Sequence, residues 1–357
     1  MSPSTVSRAL AGLPSVSPAT QRRVRELARS LNFRLNILAA GLRKGRTGVI
    51  GVIVPRLTGH FFPEVLHSIT ATAGKAKLRV IICESNEDEQ EEQQQLFWLL
   101  TAQVDGLLVS VARATRNTCH FETARQQGVP VVFFDQAIDC PSVNSVVLDN
   151  YQGAYDGVSH LIAQGRTRIA HLAGPQHLAV FRDRQRGYAD ALRAHLLPPD
   201  KRLVRTGSLT LAAGRQHMLG LLAGPVVPDA VFASQELLAI GAMRAIKARG
   251  SRIPADVALA GFAGETVAAL AEPALTSIDQ QSTEVGKAAV RLLLKLLANP
   301  TRAPQCVSLV PKLLIRDSSA APLAAVAGPL SFAKPKHTVL EPAGRGPAGP
   351  AAGYRRG

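Results

Sequence analysis

Ser4, Thr5, Ser7 and Arg8 bring three short hydroxyl side chains and one guanidinium together near the start of the chain. Groups of that kind reach base edges and phosphate oxygens in the major groove of a duplex. Helical spacing puts Val6, Ala9 and Leu10 on the opposite side at i, i+3 and i+4, Ser2 or Ser4 can cap the first turn, and Pro3 suits its opening position. A second capped segment, SPATQRRVRELARSLNF over 17–33, carries Val24, Leu27, Ala28 and Leu31 on one face. Such helix pairs with surface arginines are common. The pair alone therefore leaves a solvated helical surface open beside a nucleic-acid-binding one.

No constellation for catalysis accompanies it. No His is followed by Glu, G-x-S-x-G does not occur, and GLRKGRTG (41–48) lacks both the Walker A spacing and its Lys-Ser/Thr pair. Cys83, Cys119, Cys140 and Cys306 lie far apart, with no C-x-x-C and no His at metal-ligand spacing. They read as reduced thiols, so neither a disulfide scaffold nor a metal centre is expected, and no cofactor. The run EDEQEEQQQ reads as the solvated face and start of a helix, and Trp98 with Leu96, Leu99 and Leu100 as core.

Any such helical arm must be carried by something larger. The chain has 357 residues, 46% of them hydrophobic, enough for two or more units with sizeable cores. From Gly48 on, apolar strands alternate with amphipathic helices: GVIGVIVP (48–55), LRVIIC (78–83), DGLLVSV (105–111), VPVVFFD (129–135), VNSVVLDN (143–150), then RIAHLAG (168–174), DAVFAS (229–234) and DVALAGF (256–262). Near-continuous apolar strands between helices predict parallel sheets buried on both faces, in two successive α/β units. Ligands of such sheets bind beyond the carboxyl ends of the strands. Residues 1–46 hold nine Lys/Arg and one acid, giving +8 of the chain's net +15, so the polyanion-facing part is the N-terminal arm. Residues 321–357, rich in Ala, Pro and Gly, read as a disordered tail. No apolar run reaches the ~18 residues of a membrane span, and the N-terminus lacks a signal-peptide layout, so a cytoplasmic protein without membrane contact is expected.

In order along the chain, STVSRAL, SPATQRRVRELARSLNF, NILAAGLRKGRTGVIGVIVP, HFFPEVLHSI, VDGLLV, VPVVFFD, RQRGYADAL, ELLAIGAMRAI and PALTSIDQQSTEVGKAA together resemble the LacI/GalR family of bacterial transcriptional repressors over residues 2–318. The resemblance implies a small all-α helix-turn-helix headpiece followed by two Rossmann-like lobes similar to periplasmic sugar-binding proteins, in a homodimer or tetramer. It implies a headpiece over 1–46 with a hinge helix at about 35–44, and a core over 47–320. The first lobe would be 47–149 plus 278–305, the second 150–277 plus 306–318. Double-stranded operator DNA would meet Pro3, Ser4, Thr5, Ser7 and Arg8, with Asn36, Ala39 and the wedge Leu42 in the minor groove, where an apolar side chain kinks the duplex. The family's first headpiece helix precedes the segment present here, so the headpiece is expected to be partial and to fold poorly.

Carried over in the same way, a sugar-like effector would meet His60, Phe61 and Asp135 from the first lobe, Arg184, Gln235 and Glu236 from the second, and Gln280 in the crossover. A guanidinium, carboxylates and amides beside an aromatic wall suit vicinal hydroxyls and a ring face. Two positions depart: Gln235-Glu236 replace the family's frequent Asn-Asp, and Ala263 its Asp after Gly-Phe. The function implied is a ligand-responsive repressor of carbohydrate-utilisation genes. A sugar-binding protein without DNA binding and a sugar-metabolising α/β enzyme are the rivals.

Overall fold

The structure, a computed structural model, describes residues 1–10, 12–31, 46–136 and 143–320. The hinge at 35–44 with Asn36, Ala39 and Leu42, Cys140, and the tail at 321–357 lie outside them.

Two helices come first, α1 (Pro3–Leu10) and α2 (Pro18–Ser30). Ser2, rather than Ser4, caps α1 by accepting the Thr5 N–H at 3.3 Å, and Ser17 caps α2 through the Thr20 N–H. Ala9, Val16 and Val24 form the buried centre, with Val6 and Leu10 packed against it. The stripe expected on α2 is only partly buried: Leu27 and Leu31 are 55% and 69% exposed. At ~1.5 Å per residue, α1 spans only about 12 Å and covers the N-terminal half of α2.

The first lobe then runs β1 (Val49–Val54), α3 (Phe61–Lys75), β2 (Arg79–Glu84), α4 (Glu89–Thr101), β3 (Gly106–Val109), α5 (Glu122–Gln126), β4 (Val131–Phe134) and β5 (Asn144–Leu148). The second runs α6 (Asn150–Ala163), β6 (Ile169–Ala173), α7 (Ala179–Ala194), β7 (Val204–Thr206), α8 (Leu211–Leu222), β8 (Ala230–Ala233), α9 (Glu236–Ala248), β9 (Ala258–Phe262), α10 (Glu265–Leu270) and β10 (Thr276–Asp279). The chain returns to the first lobe as α11 (Ser282–Ala298) and β11 (Cys306–Leu309), and ends in β12 (Lys312–Leu314) of the second. The sheet orders are β11-β5-β4-β3-β1-β2 and β12-β10-β9-β8-β6-β7. All pairs are parallel except β12, which runs antiparallel to β10. Each sheet has an apolar layer on both faces, which is why its central strands are apolar throughout.

The pairing corrects the expected lobe boundaries. Residues 278–279 belong to β10 and the second sheet, whereas Cys306–Leu309, assigned from sequence to the second lobe, lies beside β5 of the first in the register Cys306↔Ser145 to Leu309↔Leu148. Backbone pairing decides membership, and the crossings fall near 149, 280 and 310.

The expectation for Trp98 is also corrected. Leu96 and Leu99 are buried and Leu100 is half-buried, while Phe97 and Trp98 are 62% and 56% exposed. A helix turning ~100° per residue cannot bury all five consecutive positions against one sheet face. Beside α4, the edge strand β2 leaves Ile81 and Ile82 exposed as well. Within the acidic run Glu92 is fully buried. Its carboxylate accepts the Ala112 N–H at 2.5 Å and the Thr115 hydroxyl at 2.9 Å and lies 3.0 Å from His120 Nε2.

Helix α11 joins the two ends of the first lobe. It follows directly from the crossover, buries Val285, Ala289, Leu293 and Leu296 in the first-lobe core, and runs about 25 Å at ~1.5 Å per residue. At its far end the Leu297 carbonyl accepts a hydrogen bond from Arg46. There Asp105 receives the Thr47 N–H at 2.7 Å, the Thr47 hydroxyl at 3.0 Å and the Gly48 N–H at 2.7 Å. Thr47 and Gly48 are thereby fastened to the foot of β3.

Candidate functional site

Loops leaving the carboxyl ends of β1, β3 and β4 face those leaving β8 and β9, with the β10–α11 crossover at the side. His60, Phe61, Asp135, Arg184, Gln235, Glu236 and Gln280, drawn from elements far apart in sequence, all line one cavity of about 80 Å³ there. Phe61 and Gln280 also line a wider neighbouring cavity of about 800 Å³.

Arg184 is the centre of this arrangement and is 3% exposed. Its Nε donates to Asn150 Oδ1 at 2.8 Å, Nη1 to the Ser234 carbonyl at 2.5 Å and Nη2 to Gln280 Oε1 at 3.2 Å. The guanidinium lies 3.6 Å from the centroid of the Phe262 ring. One turn on, a Cβ at Gly187 would lie 2.3 Å from the Tyr151 carbonyl. Only glycine lets α7 approach α6 this closely, and that approach brings Arg184 to Asn150. Burial pulls the guanidinium down to about 9, partly opposed by the charge of Asp135.

Asp135 follows β4 with φ 56°, in the left-handed region that Asp tolerates better than most residues. Burial at the cleft floor pushes its carboxyl up to about 6, against the pull of Arg184 and Arg56. Gln235 is the N-cap of α9, and its Oε1 accepts the Leu237 N–H at 2.9 Å, leaving its amide NH2 for a ligand. Glu236 accepts the Gly264 N–H at 3.2 Å, so a carboxylate stands beside Ala263 although that residue has none. His60 is the N-cap residue of α3 without a side-chain capping bond. Behind the site His171 is fully buried, stacked on Tyr188 and Phe232, with Nδ1 3.1 Å from the Phe232 carbonyl. Burial pulls it down to about 4. It is therefore neutral at physiological pH.

Several residues that sequence reasoning missed complete the walls. Arg56, Thr58, Arg113, Gln136 and Phe181 line the cavity, and Asn150 and Ser234 hold Arg184. His177 Nε2 lies 3.0 Å from the Arg113 carbonyl, a contact from the second lobe to the first. No group of three or more potential metal ligands occurs among the described residues.

In the helical arm Pro3, Ser4 and Arg8 are exposed and Thr5 and Ser7 half-buried, opposite buried Ala9. On α2, Arg22, Arg23, Arg25 and Arg29 are exposed. In the chain, a basic helix pair precedes a two-lobed cleft. The repressor CytR of Escherichia coli (strain K12) is 32% identical over 298 residues, covering 82% of this chain and 86% of the relative. The chain belongs to the LacI/GalR family. As a family member it is a transcriptional regulator and not an enzyme. The transcriptional regulator CelR of Thermobifida fusca is 32% identical over 321 residues, 88% of this chain and 94% of the relative. Residues 158–319 match the periplasmic binding protein-like domain. The lac repressor dimer bound to operator and the anti-inducer ONPF superposes with a TM-score of 0.80 at 26% identity, covering 89% of this chain and 95% of that one. A complex of CelR with cellobiose gives 0.70 at 29% identity, covering 88% and 95%. No helix among the described residues is long and apolar enough to cross a membrane.

Proposed function

We propose that this LacI/GalR regulator is a homodimeric, effector-responsive repressor of carbohydrate-utilisation genes, acting on double-stranded operator DNA in the cytoplasm. The observation that carries the effector reading is the cleft. A buried guanidinium, two carboxylates and three amides converge from both lobes beside Phe61, matching a polyhydroxylated ring. Pro3, Ser4, Thr5, Ser7 and Arg8 are assigned to the operator, with Asn36, Ala39 and Leu42 as the hinge contacts. The dimer reading is supported by the apolar edge at Ile81, Ile82, Phe97 and Trp98, since exposed aromatic and β-branched side chains beside an edge strand are costly unless covered. The domain assignment follows the same reading: headpiece 1–46, two-lobed core 47–320, tail 321–357.

Selection of bound duplexes from a random library, followed by calorimetry with sugars, tests the proposal. Recovered duplexes are expected to share an inverted repeat, to lose affinity steeply with salt, and to respond to a sugar that binds the core. Binding without sequence preference would remove the operator reading.

A further inference from the structure

The first-lobe wall carries charge beyond what a neutral polyol needs. Arg56 follows β1 and Arg113 follows β3, and because these strands are neighbours the two guanidinium groups share one edge of the cavity. Glu87 braces both from behind: its Oε1 lies 2.8 Å from Arg113 Nη2 and 3.2 Å from Arg56 Nε, and its Oε2 accepts the Arg113 N–H at 3.0 Å. Glu87 takes the close contacts of both guanidinium groups, and Asp135, the other first-lobe carboxylate of the cavity, makes no ion pair with either among the described residues. Arg184, facing them, is held by three neutral acceptors, and no carboxylate lies within ion-pair distance of it among the described residues. Three guanidinium groups line the cavity, balanced in number by Asp135 and Glu236 in its lining and Glu87 behind it, so what distinguishes the first-lobe wall is the density of guanidinium donors.

Hydrogen bonding points the same way. Nε of Arg113 is buried without a hydrogen-bond partner, Nε of Arg56 faces only the Glu87 carboxylate, and Oε1 of Gln136, next to Asp135, is buried without a donor. The unpartnered Arg113 donor calls for an acceptor, and the orphaned amide oxygen of Gln136 calls for a hydroxyl. We propose that the effector carries an acidic group, carboxylate or phosphate, that docks on Arg56 and Arg113, while its hydroxyls meet Asp135, Gln136 and Arg184. This inference rests on the cleft being the effector site. Guanidinium forks suit both acids, because each presents paired oxygens to parallel N–H groups.

The test is calorimetry at fixed ionic strength on the full chain, with D-glucose, D-galactose and D-ribose, their aldonic acids and their terminal phosphates, and with inorganic phosphate alone. At least one acidic member is expected to bind at least about tenfold tighter than its neutral parent, with the acid and phosphate arms telling the two sources apart. In the Arg56→Gln/Arg113→Gln double variant that preference is expected to vanish, and Arg56→Lys/Arg113→Lys to restore part of it, with circular dichroism confirming the fold. Neutral sugars binding as tightly as their acids, an acid preference that survives the double variant, or no heat from any acidic member would overturn the proposal. Arg184→Ala separates the two readings. If it abolishes binding of a neutral sugar while acids show no preference, the cleft stands and the acidic effector falls. Binding that ignores Arg184 removes the cleft itself.

Discussion

Replacing Arg184 by Met keeps much of the side-chain volume and removes the charge. Two opposing terms decide whether the fold survives. Holding the guanidinium buried lowers it from 12.5 to about 9. A shift of that size corresponds to at most about 5 kcal/mol of cost at pH 7, below both values, where it is fully present. Against its relief stand three acceptors left without a donor, Asn150 Oδ1, the Ser234 carbonyl and Gln280 Oε1, at about 1–3 kcal/mol each. The terms are of similar size, so the variant is expected to fold with a modestly changed Tm. Ligand binding has no such compensation. A charge-assisted contact removed from the bound state costs about 1.5–3 kcal/mol, which is roughly a 10- to 150-fold weaker Kd. Calorimetry with the tightest-binding sugar of the panel measures this, and fluorescence anisotropy on operator DNA without sugar is expected to stay near wild type. Arg184→Lys, keeping the charge as a point without the fork, should fall between. An unchanged sugar Kd in a folded Met variant would refute the reasoning and leave Arg184 as a bolt between α6, β8 and the crossover.

Trp98→Arg is expected to convert a dimer to a monomer in sedimentation velocity and to weaken operator binding while sparing sugar affinity; as Trp98 is the chain's one tryptophan, wild-type emission should shift to the red on dilution. Because burial raises the Asp135 carboxyl from 3.8 to about 6, the folded state binds the extra proton over that interval. Its contribution to stability is full below pH ~4 and is lost as pH rises through about 6, so Asp135→Asn should flatten the fall in Tm across that window. Asp105→Ala frees three donors of Thr47 and Gly48 far from the cleft. It is expected to leave sugar affinity of the DNA-free protein within about twofold while shrinking the reciprocal sugar–operator coupling, which is typically about 1–3 kcal/mol, and unchanged coupling would count against the clamp.

The central strands were legible because each sheet is covered on both faces, so β1, β3, β4, β6, β8 and β9 are apolar runs. The strands left out of the sequence reading obey other rules. β10 is buried but begins Thr276-Ser277, whose hydroxyls are satisfied by the Arg316 carbonyl and the Arg316 guanidinium, so it does not read as apolar. β7, β11 and β12 are edge or near-edge segments of three or four residues with exposed positions, too short for a period to show. The seven cleft residues came from motif resemblance, and the structure places them around one cavity. Arg56, Arg113, Asn150 and Ser234 gave no such signal. Each leaves or follows a different strand, and only closure of the sheets puts them together. Trp98 was misread because aromatic residues beside leucines look like core unless the helix phase is worked out residue by residue.

One element touches both the cleft and the start of the described core. Gln280, two residues ahead of α11, accepts from Arg184 in the cleft, and Ser282 in its first turn donates to Glu64 of α3. Some 25 Å on, at the helix rise of ~1.5 Å per residue, Leu297 receives Arg46, the last residue of the arm. A helix packed along its length against the first-lobe core moves as a rod or not at all, because close-packed interiors transmit displacement rather than absorb it. One packed helix therefore connects the surroundings of Arg184 with the contact that holds Arg46. Asp105 resists at that end, since its carboxylate ties Thr47 and Gly48 to β3, a strand at the centre of the first sheet. Residues 46–48 are thus held between the far end of a helix whose near end adjoins the cleft and an anchor at the foot of a central strand.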